Sequence, residues 1–525
     1  SEVIDVRVVN VEVVVTDGQG NRVHGLEASD FELLVDGEAT PIDYFTEIEE
    51  GLALDSTDGD VAGVPGLGPN ALVGTNFLIF IDDLFSIERD RNRVLDRLEE
   101  DLGELGPTDR VAAVAFDGRS VETLTTWTNS ASQLKEALDR ARGRPAEGLA
   151  RRSELGIVDS DRDSVEQFER SLTIPRDVSA LASNAEVSYV ETLSDQMERS
   201  VLAAVATMPQ FADQPGRKVM LLLAGGWPRS VAIYAQVTLS PDRLPTDRRA
   251  MSEDRLYGPL VSTANLIGFS LYPVDLPGPA RGFRGDASRG LGPDARDGDV
   301  RALPGSTERE DSLHSTLQLL ARSTGGVPMI NAERDAALAA VVSDTRSYYW
   351  LGFEPQRRDD EAFHEIVVRP VSRTDLTVRT REGYVDRSRD REIEMAVEAA
   401  LMFGDPPGAT PLDVRIGEPV RAARRRMSVP LEVAIPLDEI QLLPVAGVWQ
   451  NELEVRVTAM DQEGNRADVS VDKVPIAGPS EPQPGQVFYY QTDLQLRRRE
   501  HTYVVAVYDP LTGTSLTATG EISPN

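Results

Sequence analysis

The chain contains no cysteine among its 525 residues. Disulfide bonds, thiol nucleophiles and zinc–thiolate sites are therefore excluded. Because disulfide-free proteins occur on both sides of a membrane, this absence leaves the compartment open. Long apolar runs are missing too, since none approaches the roughly 18 residues of a membrane-spanning helix. The sequence predicts neither covalent cross-links nor membrane insertion.

Lysine is almost absent, occurring only at positions 135, 218 and 473. Arginine supplies the other 51 of 54 basic side chains, and 87 acidic side chains give a formal net charge of −33 at pH 7. A surface this acidic repels nucleic acid and anionic lipid, so neither is an expected partner. Two explanations of the arginine bias stay open, a GC-rich genome and adaptation to salt.

The stretch NFLIFIDDLFS, residues 76–86, contains the strongest strand signal. Five apolar residues, 77–81, end abruptly at Asp82 and Asp83, which predicts a buried strand that brings two carboxylates to one end of a sheet. The residues that follow, 88–105, repeat leucine and valine at helical spacing. Together they predict a strand followed by an amphipathic helix.

Three further apolar runs alternate with helical patterns. They are RVAAVAF (110–116), KVMLLLA (218–224) and LIGFSLYPV (266–274). Strands separated by helices favour a parallel sheet covered on both faces, with a ligand crevice at the carboxyl ends of its strands. We therefore predict a multi-domain α/β plus β protein with a doubly wound, mostly parallel domain over residues 74–346. VETLTTWT (121–128) is predicted to be an antiparallel edge strand. Insertions are predicted at 143–188, with only short helical patterns, and at 277–306.

The segments on either side of this domain have a period of two. Residues 1–50 form a small β module with hairpin signals at Asp17-Gly18 and Asp36-Gly37, followed by a linker over 51–73. Three more strands are predicted within 347–386. Because a hairpin needs a third strand or a packing partner, we expect the two segments to pair in one β domain.

The last part of the chain is predicted to be all β after a short helix. Residues 387–408 are predicted to form a helical linker that ends in GDPPG, a composition typical of domain boundaries. At least six strands follow within 409–525, separated by Gly-, Asp- and Pro-rich turns. This spacing favours an antiparallel sandwich of immunoglobulin type.

The tract 277–306 is rich in Gly, Pro, Asp and Arg and predicts a long mobile loop. Its five arginines are compatible with an anion-binding site, whereas its interleaved aspartates and the acidic chain favour a solvated loop. These arginines are Arg281, Arg284, Arg289, Arg296 and Arg301.

Several segments resemble, in the same order, the von Willebrand factor A-related proteins of Acidobacteria and their relatives. The matching segments are VEVVVTDGQGNRVHGLEASDFELLVDGE, FIDDLFSIERDRNRVLDRL, PTDRVAAVAF, MPQFADQPGRKVMLLLAGGW, LARSTGGVPMIN, SYYWLGFEP, FHEIVVRP and REGYV. The resemblance spans residues 4–386 and implies a von Willebrand-type (VWA) domain in an exported protein. It implies a fold more firmly than a function, because most members have no defined biochemical role.

Many domains of this family bind partners through a divalent ion held by an Asp-x-Ser-x-Ser motif, a threonine and a later aspartate. In this sequence Asp82 is similar to the first residue of the motif and Ser86 to the last, but Leu84 replaces the middle serine. Ala224 and Gly225 stand where Thr-Asp is expected. The resemblance therefore implies a degenerate metal site.

The residues that remain as candidate metal ligands are Asp82, Asp83 and Ser86, and the candidate ions are Mg²⁺ or Ca²⁺. Thr192 is the candidate for the second hydroxyl. The alternative is a structural role, in which Asp82 accepts hydrogen bonds from Ser86 and from amides in the first turn of the following helix. We favour the structural role and expect no bound cofactor.

Nothing in the sequence forms a recognisable catalytic motif. The four histidines, His24, His314, His364 and His501, lie in separate segments, and none accompanies a nucleophile in a known pattern. Gly225-Gly226 lacks the downstream residues of a phosphate-binding loop. We therefore expect no catalytic site.

These observations favour a protein-binding or structural/assembly protein that uses its degenerate VWA domain for contacts with protein partners or with copies of itself. The chain opens with Ser1-Glu2-Val3 rather than Met, which is typical of a mature periplasmic or extracellular protein, or of a trimmed chain. Two alternatives stay open: metal-dependent adhesion to a carboxylate-bearing protein, and an enzyme with an unrecognised site.

Overall fold

The computed structural model describes most of the chain. The described residues are 9–54, 61–64, 67–68, 70–171, 179–212, 214–235, 253–276, 278–279, 306–330, 336–355, 360–373, 375–386, 388–404, 412–422, 426–445, 447–461, 466–467, 470–483 and 485–523. Almost all of the predicted loop 277–306, including its five arginines, lies outside them. The chain divides into two compact units, Ser1–Gly118 with Glu122–Asp386, and Arg119–Val121 with Arg387–Asn525.

The first unit contains strands β1–β14 and helices α1–α8. Its strands are β1 Val9–Thr16, β2 Phe31–Val35, β3 Glu38–Ala39, β4 Tyr44–Glu49, β5 Leu52–Ala53, β6 Thr75–Asp82, β7 Arg110–Phe116, β8 Val121–Thr128, β9 Arg217–Ala224, β10 Phe269–Asp275, β11 Tyr348–Phe353, β12 Phe363–Pro370, β13 Thr377–Arg379 and β14 Gly383–Val385. Its helices are α1 Glu88–Glu100, α2 Ala131–Arg142, α3 Gly148–Ser171, α4 Ser179–Gln210, α5 Val231–Tyr234, α6 Glu253–Ile267, α7 Ser306–Ser323 and α8 Ala337–Thr345. Short 3-10 helices occur at Ala28–Asp30 and Asp101–Glu104.

One sheet of this unit contains parallel strands, in the order β10-β9-β6-β7-β8. Three ladders, β10 with β9, β9 with β6 and β6 with β7, are parallel. All eight residues of β6 are buried, because it is paired on both edges and covered by apolar side chains of its neighbours. The aspartates that follow β6 are therefore delivered into the interior.

The other two sheets of the unit are antiparallel. Their strand orders are β13-β1-β11-β4-β5 and β14-β12-β2-β3. Side chains of both sheets meet in one core that contains Val13, Leu33, Phe45, Leu351 and Ile366. The strands of the N-terminal β module and those of segment 347–386 therefore lie in the same two sheets.

Buried charged side chains connect these sheets to the parallel sheet. Glu12 of β1 accepts a hydrogen bond from Ser270 Oγ of β10 at 3.0 Å, and its carboxylate lies 3.7 Å from Arg381 and 4.0 Å from Arg217. A second group centres on Asp344, at the end of α8. These charges are fixed by tertiary structure, since their partners come from distant parts of the sequence.

Asp344 is the acceptor for three donors. Arg379 and Arg22 donate to its carboxylate at 2.7 and 2.6 Å, and the hydroxyl of Tyr272 donates at 2.6 Å. Burial alone would raise the pKa of Asp344, but the charges of Arg379 and Arg217 outweigh burial and lower its pKa to about 2. Asp344 thus stays ionised throughout the physiological range.

The second unit contains helix α9 and strands β15–β23. Helix α9 spans Arg389–Phe403; the strands are β15 Asp413–Ile416, β16 Val420–Arg421, β17 Arg426–Pro436, β18 Leu443–Val445, β19 Val448–Asp461, β20 Ser470–Gly478, β21 Val487–Arg497, β22 His501–Asp509 and β23 Thr514–Ile522. The pairs among them are antiparallel. They form two sheets, one around β17 and one around β19, which enclose a common apolar core.

The prediction of a doubly wound, mostly parallel VWA-type protein flanked by a small β domain and an immunoglobulin-type sandwich is wrong as a fold class. Strands account for 41% of the structure and helices for 30%, and most sheets are antiparallel. The apolar runs that suggested the parallel sheet are few. Short strands of period two are more numerous, and they pair with antiparallel neighbours through turns or across long sequence separations.

Local predictions differ in quality. The strand 110–116 and the edge strand 121–128 lie where predicted. The run 266–274 is divided, because Leu266 and Ile267 end α6 and Gly268, with φ +77°, separates them from β10. The insertion 143–188, expected to contain only short helical patterns, contributes to the long helices α3 and α4.

Among the described residues, no helix is long and apolar enough to cross a membrane.

We expect Asp344→Asn to lower the free energy of unfolding by about 3 kcal/mol at pH 7, because it leaves Arg22 and Arg379 without their shared anion. Since the folded-state pKa of Asp344 is depressed, its stabilisation is present above its ordinary pKa of 3.8 and is lost as pH falls toward about 2. Urea unfolding at several pH values measures both effects.

The matched control is Asp375→Asn, which alters an exposed ion pair with Arg373 in the same unit. It should change stability little at pH 7, because exposed pairs contribute little. Equal effects of the two substitutions would contradict the assigned role of Asp344.

Candidate functional site

Asp82 and Asp83 lie at the carboxyl end of the buried strand β6. Both are 0% exposed. The amide of Asp83 donates to Phe116 O at 2.9 Å, which extends the pairing of β6 with β7 by one residue. The structure therefore places both predicted carboxylates at the predicted end of the sheet but buries them.

Both carboxylate oxygens of Asp82 accept hydrogen bonds from protein donors. The amide of Leu84 donates to Oδ1 at 3.0 Å, and Nε1 of Trp227 donates to Oδ2 at 2.7 Å. Trp227 is itself fixed by stacking on Tyr257, whose hydroxyl donates to Pro228 O at 2.8 Å. Each oxygen of Asp82 is therefore already bonded to a protein donor.

Burial raises the pKa of Asp82 from 3.8 to about 7, although the hydrogen bonds from Trp227 and Leu84 oppose the rise. Because the folded-state pKa is raised, Asp82 favours folding while it is protonated, below its ordinary pKa. That contribution is lost as pH rises through about 7. The buried carboxyl therefore titrates near neutrality without being accessible to solvent.

Asp83 is held by two arginines. Nη1 of Arg91 and Nε of Arg144 donate to its two oxygens at 2.5 and 2.8 Å. Burial raises the pKa of Asp83, and the charges of these arginines offset the rise only in part. Arg91 also donates to the carbonyl of Arg144 at 2.9 Å. Asp83 thus links helix α1 to the segment that follows α2.

Ser86 is buried but does not contact the Asp82 carboxylate. Its hydroxyl donates to the backbone carbonyl of Asp82, and its own carbonyl accepts from Gly148 at 2.9 Å. The expected donors to Asp82, the Ser86 hydroxyl and the first-turn amides of the next helix, are therefore replaced by Leu84 and Trp227. Helix α1 begins only at Glu88.

Gly225, the position where a second aspartate was expected, leaves a side chain little room. A Cβ on Gly225 would lie 3.1 Å from Leu276 O and 3.2 Å from Gly278 Cα. A Cβ on Gly226 would lie 2.6 Å from the ring of Phe85. Backbone of the loops after β10 and β6 occupies the space around Gly225.

Thr192, the candidate second hydroxyl, is exposed in the long helix α4. Its hydroxyl donates to Ser188 O at 2.9 Å within the same helix. The structure thus brings Asp82, Asp83 and Ser86 together at the end of β6, but it directs their polar atoms to protein partners. This arrangement can stabilise the carboxyl end of β6 within the fold.

Sequence reasoning missed a second cluster, formed by Asp360, His364 and Asp386. One potential ligand atom from each lies within 4.8 Å of the others. His364 is 5% exposed, and its Nδ1 lies 2.7 Å from Asp36 Oδ2. The spacing of Asp360 and His364 is visible in the sequence, but Asp36 is 328 residues away, so only the pairing of β2 with β12 reveals the group.

The other three histidines have separate surroundings. His24 Nδ1 lies 3.2 Å from Glu47, His314 Nε2 lies 3.5 Å from Asp275, and His501 Nδ1 lies 2.9 Å from Arg499 O. They do not join the His364 cluster.

No family model matches the chain, and no curated protein matches it. Three solved structures are similar to parts of it. They are Northeast Structural Genomics Consortium target SoR45 (12% identity, 22% of this chain, 88% of that chain, TM-score 0.14), a protein from Archaeoglobus fulgidus (7%, 22%, 98%, 0.14) and Bacteroides uniformis beta-glucuronidase (9%, 36%, 20%, 0.16). The chain spans only 20% of the glucuronidase. At these TM-scores the similarities carry no argument, and the resemblance to VWA-related proteins stays a prediction.

We expect Trp227→Phe to destabilise the protein more at pH 8 than at pH 5, by about 1 kcal/mol, because a hydrogen bond to an ionised carboxylate is worth more than one to a neutral carboxyl. The void left by the smaller ring costs the same at both pH values. Urea unfolding at the two pH values isolates the electrostatic part.

Trp350→Phe is the matched control, because Trp350 is also buried and its Nε1 makes no hydrogen bond among the described residues. Its cost should not depend on pH. A pH-independent cost for Trp227→Phe as well would show that the indole does not stabilise the Asp82 carboxylate.

We also expect calorimetric titration with Mg²⁺ or Ca²⁺ to give no heat that depends on Asp82, because each of its oxygens is already bonded to a fixed donor. Asp82→Asn should leave the titration unchanged. Saturable binding in the wild type that this variant abolishes would restore the metal-dependent alternative.

Proposed function

We propose that this chain is a protein-binding or assembly protein, and that its second unit makes the contact with another copy of the chain. The feature that carries this proposal is the hairpin of β18 and β19. Leu443, Val445 and Val448 are 41%, 49% and 39% exposed in it. Adjacent exposed branched side chains of this kind are typical of contact surfaces.

The three side chains lie on one face of the hairpin. Val445 is paired with Val448, and Leu443 with Gln450, so alternation along each strand directs all of them to the same side. Trp449 points to the other side and packs against the core of the unit. The hairpin thus presents an exposed apolar face formed by Leu443, Val445 and Val448, while Trp449 joins its other face to the core.

The base of the hairpin is held rigidly by Asp509, which is buried. Its Oδ2 accepts from Gln441 N at 2.8 Å, and its Oδ1 accepts from Asn451 Nδ2 at 2.8 Å and from Leu511 N at 2.9 Å. A surface fixed before binding loses little conformational entropy when a partner docks. The apolar face is therefore preorganised.

The charge pattern favours a second copy as the partner. Residues 441–450, QLLPVAGVWQ, contain no charged side chain, in a chain whose net charge is −33. Two such acidic chains repel each other over most of their surfaces. At a neutral apolar hairpin this electrostatic repulsion is weakest, and burial of the apolar surface stabilises the contact most.

The alternatives have less support. Metal-dependent adhesion through Asp82 would need an accessible carboxylate, whereas Asp82 and Asp83 are 0% exposed. No arrangement of described side chains supplies an argument for a particular catalysed reaction. We propose a periplasmic or extracellular location on the sequence expectation alone.

We expect the wild-type chain to associate as its concentration rises and the double variant Val445→Thr/Val448→Thr to stay monomeric over the same range. Threonine keeps the shape and strand preference of valine but hydrates the surface, which should raise the dissociation constant at least tenfold. Sedimentation equilibrium measures this directly.

The control is Val371→Thr/Val471→Thr, which makes the same chemical change at two other exposed valines. It should associate like the wild type. A wild-type chain that is monomeric at every accessible concentration, or a control that weakens association equally, would reject the hairpin as the contact.

A further inference from the structure

The cluster around His364 is assembled by strand pairing at one end of the β14-β12-β2-β3 sheet. Asp360 precedes β12 and Asp386 follows β14. The amide of Glu361 donates to Asp386 O at 3.0 Å, and the amide of Asp386 donates to Ala362 O at 3.2 Å. These bonds continue the register of Phe363 with Val385 and hold the two aspartates beside each other.

The imidazole of His364 is held in one orientation. Its Nδ1 lies 2.7 Å from Asp36 Oδ2, and the amide of Glu365 donates to the other oxygen of Asp36 at 3.0 Å. The ring also stacks on Tyr384, with centroids 5.1 Å apart. When the ring is neutral, its proton resides on Nδ1, and Nε2 presents a lone pair.

Nε2 of His364 is buried and makes no hydrogen bond among the described residues. It faces Asp360 Oδ1 at 3.4 Å. This separation is longer than the usual N–H···O distance of about 2.9 Å. A polar atom that is buried without a hydrogen bond calls for another partner, because its desolvation is otherwise uncompensated.

The distances match the coordination shell of a small ion. Metal–ligand bonds of about 2.0–2.1 Å in tetrahedral geometry separate neighbouring ligand atoms by about 3.3 Å. The spacing of His364 Nε2 and Asp360 Oδ1 already has this value. One potential ligand atom from each of Asp360, His364 and Asp386 lies within 4.8 Å of the others. Asp360 Oδ1 is positioned by the amide of Ala362 at 2.9 Å.

We propose that Asp360, His364 and Asp386 bind one divalent transition-metal ion of the Zn²⁺ type, with Asp36 as a positioning residue. An imidazole ligand favours Zn²⁺ over Mg²⁺ and Ca²⁺, which prefer shells made only of oxygen. The two carboxylates balance the charge of the ion. The hydrogen bond from His364 to Asp36 reproduces the carboxylate–histidine–metal arrangement that orients metal ligands.

Three protein ligands leave a fourth position for water or for a group from outside. Asp360 is exposed, so one ligand of the proposed site lies at the protein surface. The site belongs to the first unit and the hairpin Leu443–Gln450 to the second, and the metal proposal does not depend on the proposed assembly.

The competing explanation is a protonated His364 that bridges Asp36 and Asp360 without a metal. Burial lowers the pKa of His364, but the hydrogen bond and charge of Asp36, together with the charge of Asp360 and its weak 3.4 Å interaction with the ring, outweigh burial and raise the pKa. Proton and metal would then compete for the same nitrogen. The two explanations differ in whether the cluster takes up a metal at neutral pH.

The test uses the full chain, treated with a chelator and exchanged into buffer at pH 7.5, and titrated calorimetrically with ZnCl₂. We expect one tightly bound equivalent, a higher melting temperature, and a visible absorption band when CoCl₂ replaces ZnCl₂. Asp360→Asn and His364→Gln should each weaken binding at least 100-fold. Asp36→Asn should weaken it about 10- to 100-fold, because it removes only the orienting hydrogen bond.

Asp375→Asn serves as the control for loss of one acidic charge in the same unit, and should bind like the wild type. Circular dichroism of each chelator-treated variant establishes that it is folded. Asp360→Asn is the variant most certain to fold, because its amide oxygen can still accept from Ala362.

Three results would overturn the proposal. The first is the absence of saturable one-equivalent Zn²⁺ binding to the wild type. The second is unchanged binding in Asp360→Asn and His364→Gln, which would assign the metal to other acidic side chains. The third is displacement of Zn²⁺ by equimolar Mg²⁺ or Ca²⁺, which would indicate a different ligand set. None of these results depends on the oligomeric state of the protein.

Discussion

The pairing of strand β11 with both β1 and β4 is the constraint on which the first unit depends. All six residues of β11 are buried, since it lies inside a sheet that is covered on both faces. The pairing joins the beginning of the chain to residues about 340 positions later, and the β2–β12 ladder follows from the same closure. Closing so long a loop costs entropy that increases only slowly with its length, whereas two sheets of apolar side chains are buried in return. The same closure brings Asp36 to His364 and Glu12 to Arg381.

Buried polar atoms in this protein divide into two kinds. Asp82 and Asp83 have donors for their oxygens from backbone, indole and guanidinium groups, so their desolvation is compensated within the fold. Nε2 of His364 is also buried, yet it lies 3.4 Å from Asp360 Oδ1 and makes no hydrogen bond among the described residues. The first kind stabilises the fold. The second kind is what a ligand site requires, because the missing interaction has to come from outside.

Much of the local structure could be predicted from the sequence. The run of five apolar residues before Asp82 specified a strand buried on both faces. The apolar run 110–116 and the edge-strand pattern of 121–128 specified two further strands at the right positions. The predicted fold class was wrong because the prediction relied on the strong apolar runs. Each of the many short strands in the two antiparallel sheets has only a weak sequence pattern. The insertion before Thr192 was underestimated: its residues belong to the long helices α3 and α4 and not to short helical segments.

The sequence by itself determined the acidic surface, the absence of thiol chemistry, the burial of strand β6 and the loss of a hydroxyl at Leu84. These are properties of composition and of residues close together in the chain. Tertiary structure decided what each polar atom contacts: that Trp227, 145 residues away, donates to Asp82, and that Asp36 orients a histidine 328 residues away. The physical reason is that a hydrogen bond depends on distance and angle within a few tenths of an ångström, which no spacing along the chain fixes once the partners belong to different strands.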